Sequence, residues 1–212
     1  MRAIIDRYKL MKLKSSKNAG YSDYLEVQYQ RSKSKLKQKS ALELKRKEFL
    51  VGILSSKIDL KNIKTALILG CRDSHELNLL EKFGVQKTIG VDLFSTDSRV
   101  RVMDMQELNF DENSFDLIYA SHVLEHAFDY HKVLDRISNV IRDGGIIVIE
   151  VPANFKTTTA DLHDFRSISN LIRILEGHLH INKIIHEEYF FKSAENNFCG
   201  TDGMRLIAEI GK

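Results

Sequence analysis

Apolar and polar positions follow two rhythms along this chain. From residue 66 a continuous apolar run, Ala66-Leu67-Ile68-Leu69, stops at Gly70. Short runs of this kind, bounded by turn residues, suit strands buried on both faces. A second run ends at Gly90-Val91-Asp92-Leu93, and a third is Val102-Met103-Asp104-Met105. A fourth is Asp116-Leu117-Ile118-Tyr119-Ala120, and a fifth extends from Gly144 to Pro152. Helical spacing separates them. Asp73 or Ser74 can cap a helix that turns Leu77, Leu80 and Phe83 inward and ends at Gly84. His131 opens an amphipathic helix carrying Val133, Leu134, Ile137, Val140 and Ile141, closed by Gly144-Gly145. Strands alternating with helices predict an α/β domain around a parallel sheet, with one crevice at the carboxyl ends of the strands.

The flanks are less regular. Leu42, Phe49, Leu50, Ile53 and Leu54 form one helical apolar stripe, so residues 22–57 read as one or two helices packed on the main domain. Residues 1–18 read as a loosely attached helix or arm. Residues 153–165 form a loop above the strand ends, which makes His163 and Asp164 candidate contacts for a substrate. Ile181–Phe191 and Gly203–Ile210 read as two further strands. The division expected is residues 1–58 as a basic helical extension and residues 59–212 as the main domain.

Composition narrows the class. A chain of 212 residues, 43% hydrophobic, can bury one full α/β core with an appendage. No run of eighteen apolar residues suggests a membrane span, and no apolar stretch follows the basic amino terminus as in a secretory signal. Two cysteines, Cys71 and Cys199, are too few for a disulfide framework. A cytoplasmic protein with reduced thiols is expected. Charge is uneven: residues 1–60 hold fifteen Lys or Arg against six Asp or Glu, and the remainder is net acidic. Lys33, Lys35, Lys37 and Lys39 recur at every second position, so on a helix they point all round. A solvated helix surface accounts for them, while a nucleic acid, an anionic membrane or a phosphorylated substrate is the functional alternative.

Candidate chemistry gathers at the strand ends. Asp92 lies just over twenty residues beyond Gly70, where an acid meets ribose hydroxyls, and Asp104-Met105 follows the third strand. Ser121-His122-Val123-Leu124-Glu125-His126 begins at the end of the fourth strand. His122, Glu125 and His126 satisfy the H-x-x-E-H zinc-peptidase pattern. That chemistry needs the pattern inside a long helix, and no metal is expected here. His178-Leu179-His180 alternates as a strand does and is not read as a metal site. The order and wording of these segments resemble a class I S-adenosylmethionine-dependent methyltransferase of the small-molecule type.

The resemblance covers roughly residues 60–212. It implies a doubly wound, Rossmann-like, seven-stranded sheet, mostly parallel with an antiparallel last strand, and N-terminal helices added. It implies S-adenosylmethionine as cofactor and S-adenosylhomocysteine as product. Gly70, Cys71, Arg72 and Ser74 would meet the methionine moiety, Asp92 and Leu93 the ribose, and Asp104 and Met105 the adenine. Ala120 and Ser121 would line the crevice, and His122 would be the catalytic base for a small acceptor. His126 is read as a structural hydrogen-bonding residue. The acceptor expected is an oxygen or nitrogen of a small molecule, for instance a sugar or glycan precursor.

One segment departs from the family. Its acidic-x-Gly-x-Gly-x-Gly turn here reads Ile68-Leu69-Gly70-Cys71-Arg72-Asp73-Ser74, which keeps only the first glycine. Arg72 can hold the cofactor carboxylate as a bidentate pair, or fill its space. The second case would make the chain a non-catalytic binding module. A nucleic-acid methyltransferase using the basic helices is a further alternative, less favoured than a small acceptor. A nicotinamide enzyme would need the G-x-G-x-x-G fingerprint, which this turn lacks.

Overall fold

A computed structural model describes residues 19–36, 41–194 and 200–212. The arm expected over residues 1–18, Lys37, Lys39 and Cys199 lie outside the described residues. Two helices lead the chain, α1 (Ala19–Leu36) and α2 (Ala41–Lys57). There follow β1 (Thr65–Leu69), α3 (His75–Lys82), β2 (Lys87–Asp92), β3 (Val100–Val102), β4 (Phe115–Ser121), α4 (Tyr130–Val140) and β5 (Ile141–Ala153). The last elements are α5 (Ile168–Glu176), β6 (His180–Phe190) and β7 (Asp202–Gly211). The seven strands form one sheet in the order β3-β2-β1-β4-β5-β7-β6. β1 to β5 pair in parallel, and β7 is antiparallel to both β5 and β6.

Alternation along the central strands assigns the two faces. Ala66, Ile68, Leu117, Tyr119, Ile146 and Val148 point to one side, where Leu50, Val51 and Leu54 of α2 and Leu77 and Leu80 of α3 cover them. Leu67, Leu69, Ile118, Ala120, Ile147 and Ile149 point to the other, against Val133, Leu134 and Ile137 of α4 and Leu171 and Leu175 of α5. Burying each such aliphatic side chain stabilises the fold by about 1.5–3 kcal/mol. A third cluster joins Tyr21, Tyr24, Leu25 and Tyr29 of α1 to Phe94 beyond β2. α1 thus lies across the carboxyl end of the sheet and covers neither face.

Several boundaries differ from those the pattern predicts. Phe83 is not core: it stands at the carboxyl end of α3 with 41% of its surface exposed. Leu42 also leaves its predicted stripe and is 57% exposed, one turn before α2 reaches the sheet. α4 ends at Val140, before Gly144-Gly145, because Ile141 already pairs with Phe115. Asp129 caps α4 by accepting from the N–H groups of His131 and Lys132.

Candidate active site at the carboxyl ends of the strands

The turn after β1 sets the floor of the site. Gly70 has φ +67, and a Cβ there would stand 2.4 Å from Val123 Cγ2. Only glycine fits this position. Arg72, where the family has its second glycine, keeps the left-handed backbone glycine would adopt, with φ +54. That conformation costs roughly 1–2 kcal/mol for a side-chain-bearing residue. Hydrogen bonds hold it there: the Arg72 N–H donates to Asp92 Oδ2 at 3.1 Å, and Ser95 Oγ donates to the Arg72 carbonyl at 2.6 Å. The Arg72 guanidinium swings to Glu43 of α2, at 3.1 Å.

Over this floor lies a narrow crevice. Gly70, Arg72, Asp92, Leu93, Asp104, Met105 and His122 all line it, as their positions at the strand ends predict. Asp92 is 7% exposed, and burial pushes its carboxyl above the ordinary aspartate value. The Phe94 and Arg72 N–H groups and the Ser32 hydroxyl oppose that rise. A buried carboxylate in this state gains from each further hydroxyl donor, so ribose hydroxyls suit it. Asp104 has two roles: its Oδ1 accepts from Gln106 N at 2.9 Å, capping a short 3₁₀ turn, while the residue also lines the crevice.

Four predicted contacts are not brought to the crevice. Cys71 is buried beneath it, where a Cβ on Gly90 would come within 2.5 Å of its Sγ. Ser74 turns to Asp97, Ala120 is sealed within the sheet, and Ser121 Oγ donates to Glu150 Oε1 at 3.3 Å. His163 and Asp164 line a different cavity. There the His163 ring lies 2.8 Å from the Ala127 carbonyl, and Asp164 accepts from the N–H groups of Asn154 and Arg166.

α1 supplies a roof that the apolar pattern does not announce. Tyr24, Gln28, Arg31, Ser32 and Lys35, on one helical face, all line the crevice. Gln28 donates to the Ala160 carbonyl at 2.8 Å, and Arg31 pairs with Asp161 at 2.8 Å, tying the roof to the loop after β5. The signal in the sequence is the spacing of Tyr24, Gln28, Arg31 and Lys35, which is helical but polar.

His122 ends β4 in a left-handed conformation, φ +51, with its N–H donating to the Glu150 carbonyl at 2.7 Å. Its ring stands between two carboxylates, Nε2 3.4 Å from Glu150 and Nδ1 3.6 Å from Glu125. Burial and Arg46 nevertheless hold its pKa below the ordinary histidine value. Beneath it Glu150 is fully buried, which by itself would raise its pKa. His122, Arg46 and Arg205 outweigh burial and bring that pKa down to about 2. Arg205 Nε meets Glu150 Oε2 at 2.5 Å, and its Nη1 meets Glu188 at 2.9 Å. The guanidinium also lies 3.8 Å from the Phe190 ring centroid. Glu150 and Arg205 were legible only as charges inside apolar strands.

The H-x-x-E-H residues do converge, but around Glu125, whose Oε1 lies 3.6 Å from each histidine. His126 is spent on structure, its Nδ1 3.1 Å from the Ala160 carbonyl and 3.0 Å from Asp161. Among the described residues no three His, Cys, Asp or Glu side chains form a metal site, and no helix is long and apolar enough to cross a membrane. Beyond His122 the crevice meets a second cavity of about 550 Å³, which shares Arg31, Lys35, Arg72, His122 and His126 with it. Its outer wall carries Glu43, Arg46, Glu125, Phe155, Lys156 and Asp161.

A family model described as a methyltransferase domain matches residues 36–183, more than half of the chain. Among solved structures, the chain is similar to the 1,6-didemethyltoxoflavin-N1-methyltransferase of Burkholderia thailandensis, which holds 1,6-didemethyltoxoflavin and S-adenosylhomocysteine. The TM-score is 0.66 at 17% identity, over 91% of this chain and 89% of that one. It is also similar to the N-methyltransferase NodS of Bradyrhizobium japonicum, solved with S-adenosylhomocysteine. That match has a TM-score of 0.62 at 16% identity, over 87% and 99% of the two chains. A search of curated proteins matches nothing. At these identities the structural likeness speaks for the fold. The family model spans all five parallel strands and the crevice at their ends, and by it the chain belongs to the class I S-adenosylmethionine-dependent methyltransferases.

Proposed function

We propose that this protein transfers a methyl group from S-adenosylmethionine to an oxygen or nitrogen of a small acceptor, with His122 as the base. The observation that carries the proposal is the junction of two cavities at His122, one cradled by Gly70 and Asp92, the other open to solvent. The cofactor, when bound, supplies a methyl on a sulfonium sulfur, displaced in line so that the S–C electron pair remains on S-adenosylhomocysteine. Alignment matters more in such a displacement than strong acid or base groups. Asp92 would hold the ribose, Asp104 and Met105 the adenine, and the turn from Gly70 to Arg72 the amino-acid end. His122, kept neutral near pH 7 by burial and Arg46, takes the proton that the acceptor loses. α1 of the N-terminal extension belongs to the enzyme in this reading, since it closes the cofactor's crevice.

Titration calorimetry with S-adenosylmethionine, S-adenosylhomocysteine and, as control, NAD tests the cofactor. Micromolar binding of the sulfur nucleosides, lost in Asp92→Ala and in the milder Asp92→Asn, is the expected result. Failure of a folded sample to bind either one favours the non-catalytic module instead. The nucleic-acid alternative draws less support from α1, whose Arg31 and Lys35 line the crevice.

A further inference from the structure

The second cavity holds more positive charge than its own carboxylates balance. Arg31, Lys35, Arg46, Arg72 and Lys156 line it against Glu43, Glu125 and Asp161. Each of those carboxylates is already engaged. Asp161 meets Arg31 at 2.8 Å and His126 at 3.0 Å. Glu43 meets Arg72 at 3.1 Å and Lys47 at 3.6 Å. Glu125 stands between His122 and His126, and Arg46 leans on Glu150 at 3.8 Å from below. Lys35 is left over: half-buried where the two cavities meet, it makes neither a hydrogen bond nor an ion pair with any described residue. We infer that the acceptor carries an oxyanion, a phosphate, sulfate or carboxylate, and that Lys35, flanked by Arg31, Arg46 and Arg72, takes it. The inference rests on reading the second cavity as the acceptor's.

Charge counting leaves an anion still to be supplied once the cofactor's own carboxylate is in place. S-adenosylmethionine brings one carboxylate, one ammonium and one sulfonium, a net charge of +1. Loading the crevice therefore leaves the surplus of positive charge around Lys35 uncompensated. An ammonium held among like charges in a half-buried site is unfavourable until an anion arrives, and anion binding is the cheaper way to keep it charged. Lys35 shows the strain of these like charges: burial, then Arg72 and Arg31, draw its pKa down to about 8, with Glu43 opposing and Arg46 adding to the fall. From the facing walls Asp92, Asp104, His122, Glu125, His126, Lys156 and Asp161 complete its charged surroundings. An oxyanion beside it returns the pKa upward, so binding at pH 8 takes up about half a proton.

The test is calorimetric titration of the S-adenosylhomocysteine-saturated protein with sodium sulfate and, separately, sodium acetate, at constant ionic strength. Both probes stay fully ionised from pH 7 to 9, so any proton taken up belongs to the protein. Millimolar binding is expected. Lys35→Gln should weaken it at least tenfold, and Lys35→Arg should keep it while abolishing the uptake of protons at pH 8. Preference for sulfate supports a phosphate- or sulfate-bearing acceptor, and preference for acetate a carboxylate. Binding that Lys35→Gln leaves unchanged overturns the proposal. So does sulfate that binds the empty protein but is expelled by S-adenosylhomocysteine, because the cations then serve the cofactor. Should S-adenosylhomocysteine itself fail to bind, the cofactor reading falls separately. Lys35-dependent binding of sulfate to the unliganded protein would still support the oxyanion site, and its absence would overturn it.

Discussion

Replacing Glu150 with Gln removes the charge on which His122, Arg46 and Arg205 converge while conserving volume. Arg205 and Glu150 are both fully buried, and breaking a buried pair by deleting one partner costs about 3–5 kcal/mol. The depressed pKa gives a second route to the figure. A fall from the ordinary 4.5 to about 2, at about 1.4 kcal/mol per pH unit, amounts to roughly 3 kcal/mol. The sign follows from linkage: a lowered folded-state value gives stability that is present in full above pH 4.5 and is lost as the pH falls towards 2. Glu150→Gln should therefore be about 3 kcal/mol less stable than the native chain at pH 7, with the gap closing between about pH 5 and pH 2. For a domain of this size that corresponds to a fall in Tm of roughly 6–12 °C at neutral pH. Urea unfolding of both proteins at several pH values measures the gap. A gap that is constant with pH, or none at all, would refute the argument, since the charge would then contribute nothing that protonation removes.

Two further perturbations probe the site itself. His122→Ala should lower turnover by about 10²–10⁴-fold while leaving S-adenosylhomocysteine affinity intact, and unchanged turnover would remove His122 from the mechanism. Because burial and Arg46 lower its pKa, native activity should be level at pH 7 and fall only as the pH drops through a value under 6.5; an acid limb centred above pH 7 would contradict this. Gly70→Ala brings a methyl group 2.4 Å from Val123 Cγ2 in a left-handed turn. It should cost about 1–3 kcal/mol and abolish binding of the sulfur nucleosides, as thermal melts and calorimetry would reveal.

What could be read from the chain divides along physical lines. Ala66 to Leu69 and Ile146 to Val151 announce themselves because strands buried on both faces must be apolar throughout. Asp92 and Asp104 are legible because a strand end followed by an acid puts a carboxylate into the crevice. The antiparallel direction of β7 follows from the resemblance and not from periodicity, and its place between β5 and β6 has no local signal. The roof was hidden: Tyr24, Gln28, Arg31 and Lys35 repeat with helical spacing, but their face is polar and is buried by a cavity, not by a core. Glu150 and Arg205 are neighbours only through the register of β5 on β7, which no local pattern encodes. Phe83 illustrates the opposite failure, an apolar residue in step with Leu80 that the last turn of α3 leaves in solvent.

The antiparallel strand sets an order of assembly. β7 comes last among the described strands, yet it lies inside the sheet, with β5 on one side and β6 on the other. While the chain is being synthesised, β1 to β5 can pair as soon as they emerge, but β6 has no partner until β7 arrives. Glu150 meanwhile faces the nascent core without Arg205. The buried pair beneath His122 therefore forms only when β7 inserts between β5 and β6, so the charge of Glu150 meets Arg205 at the closing step of folding.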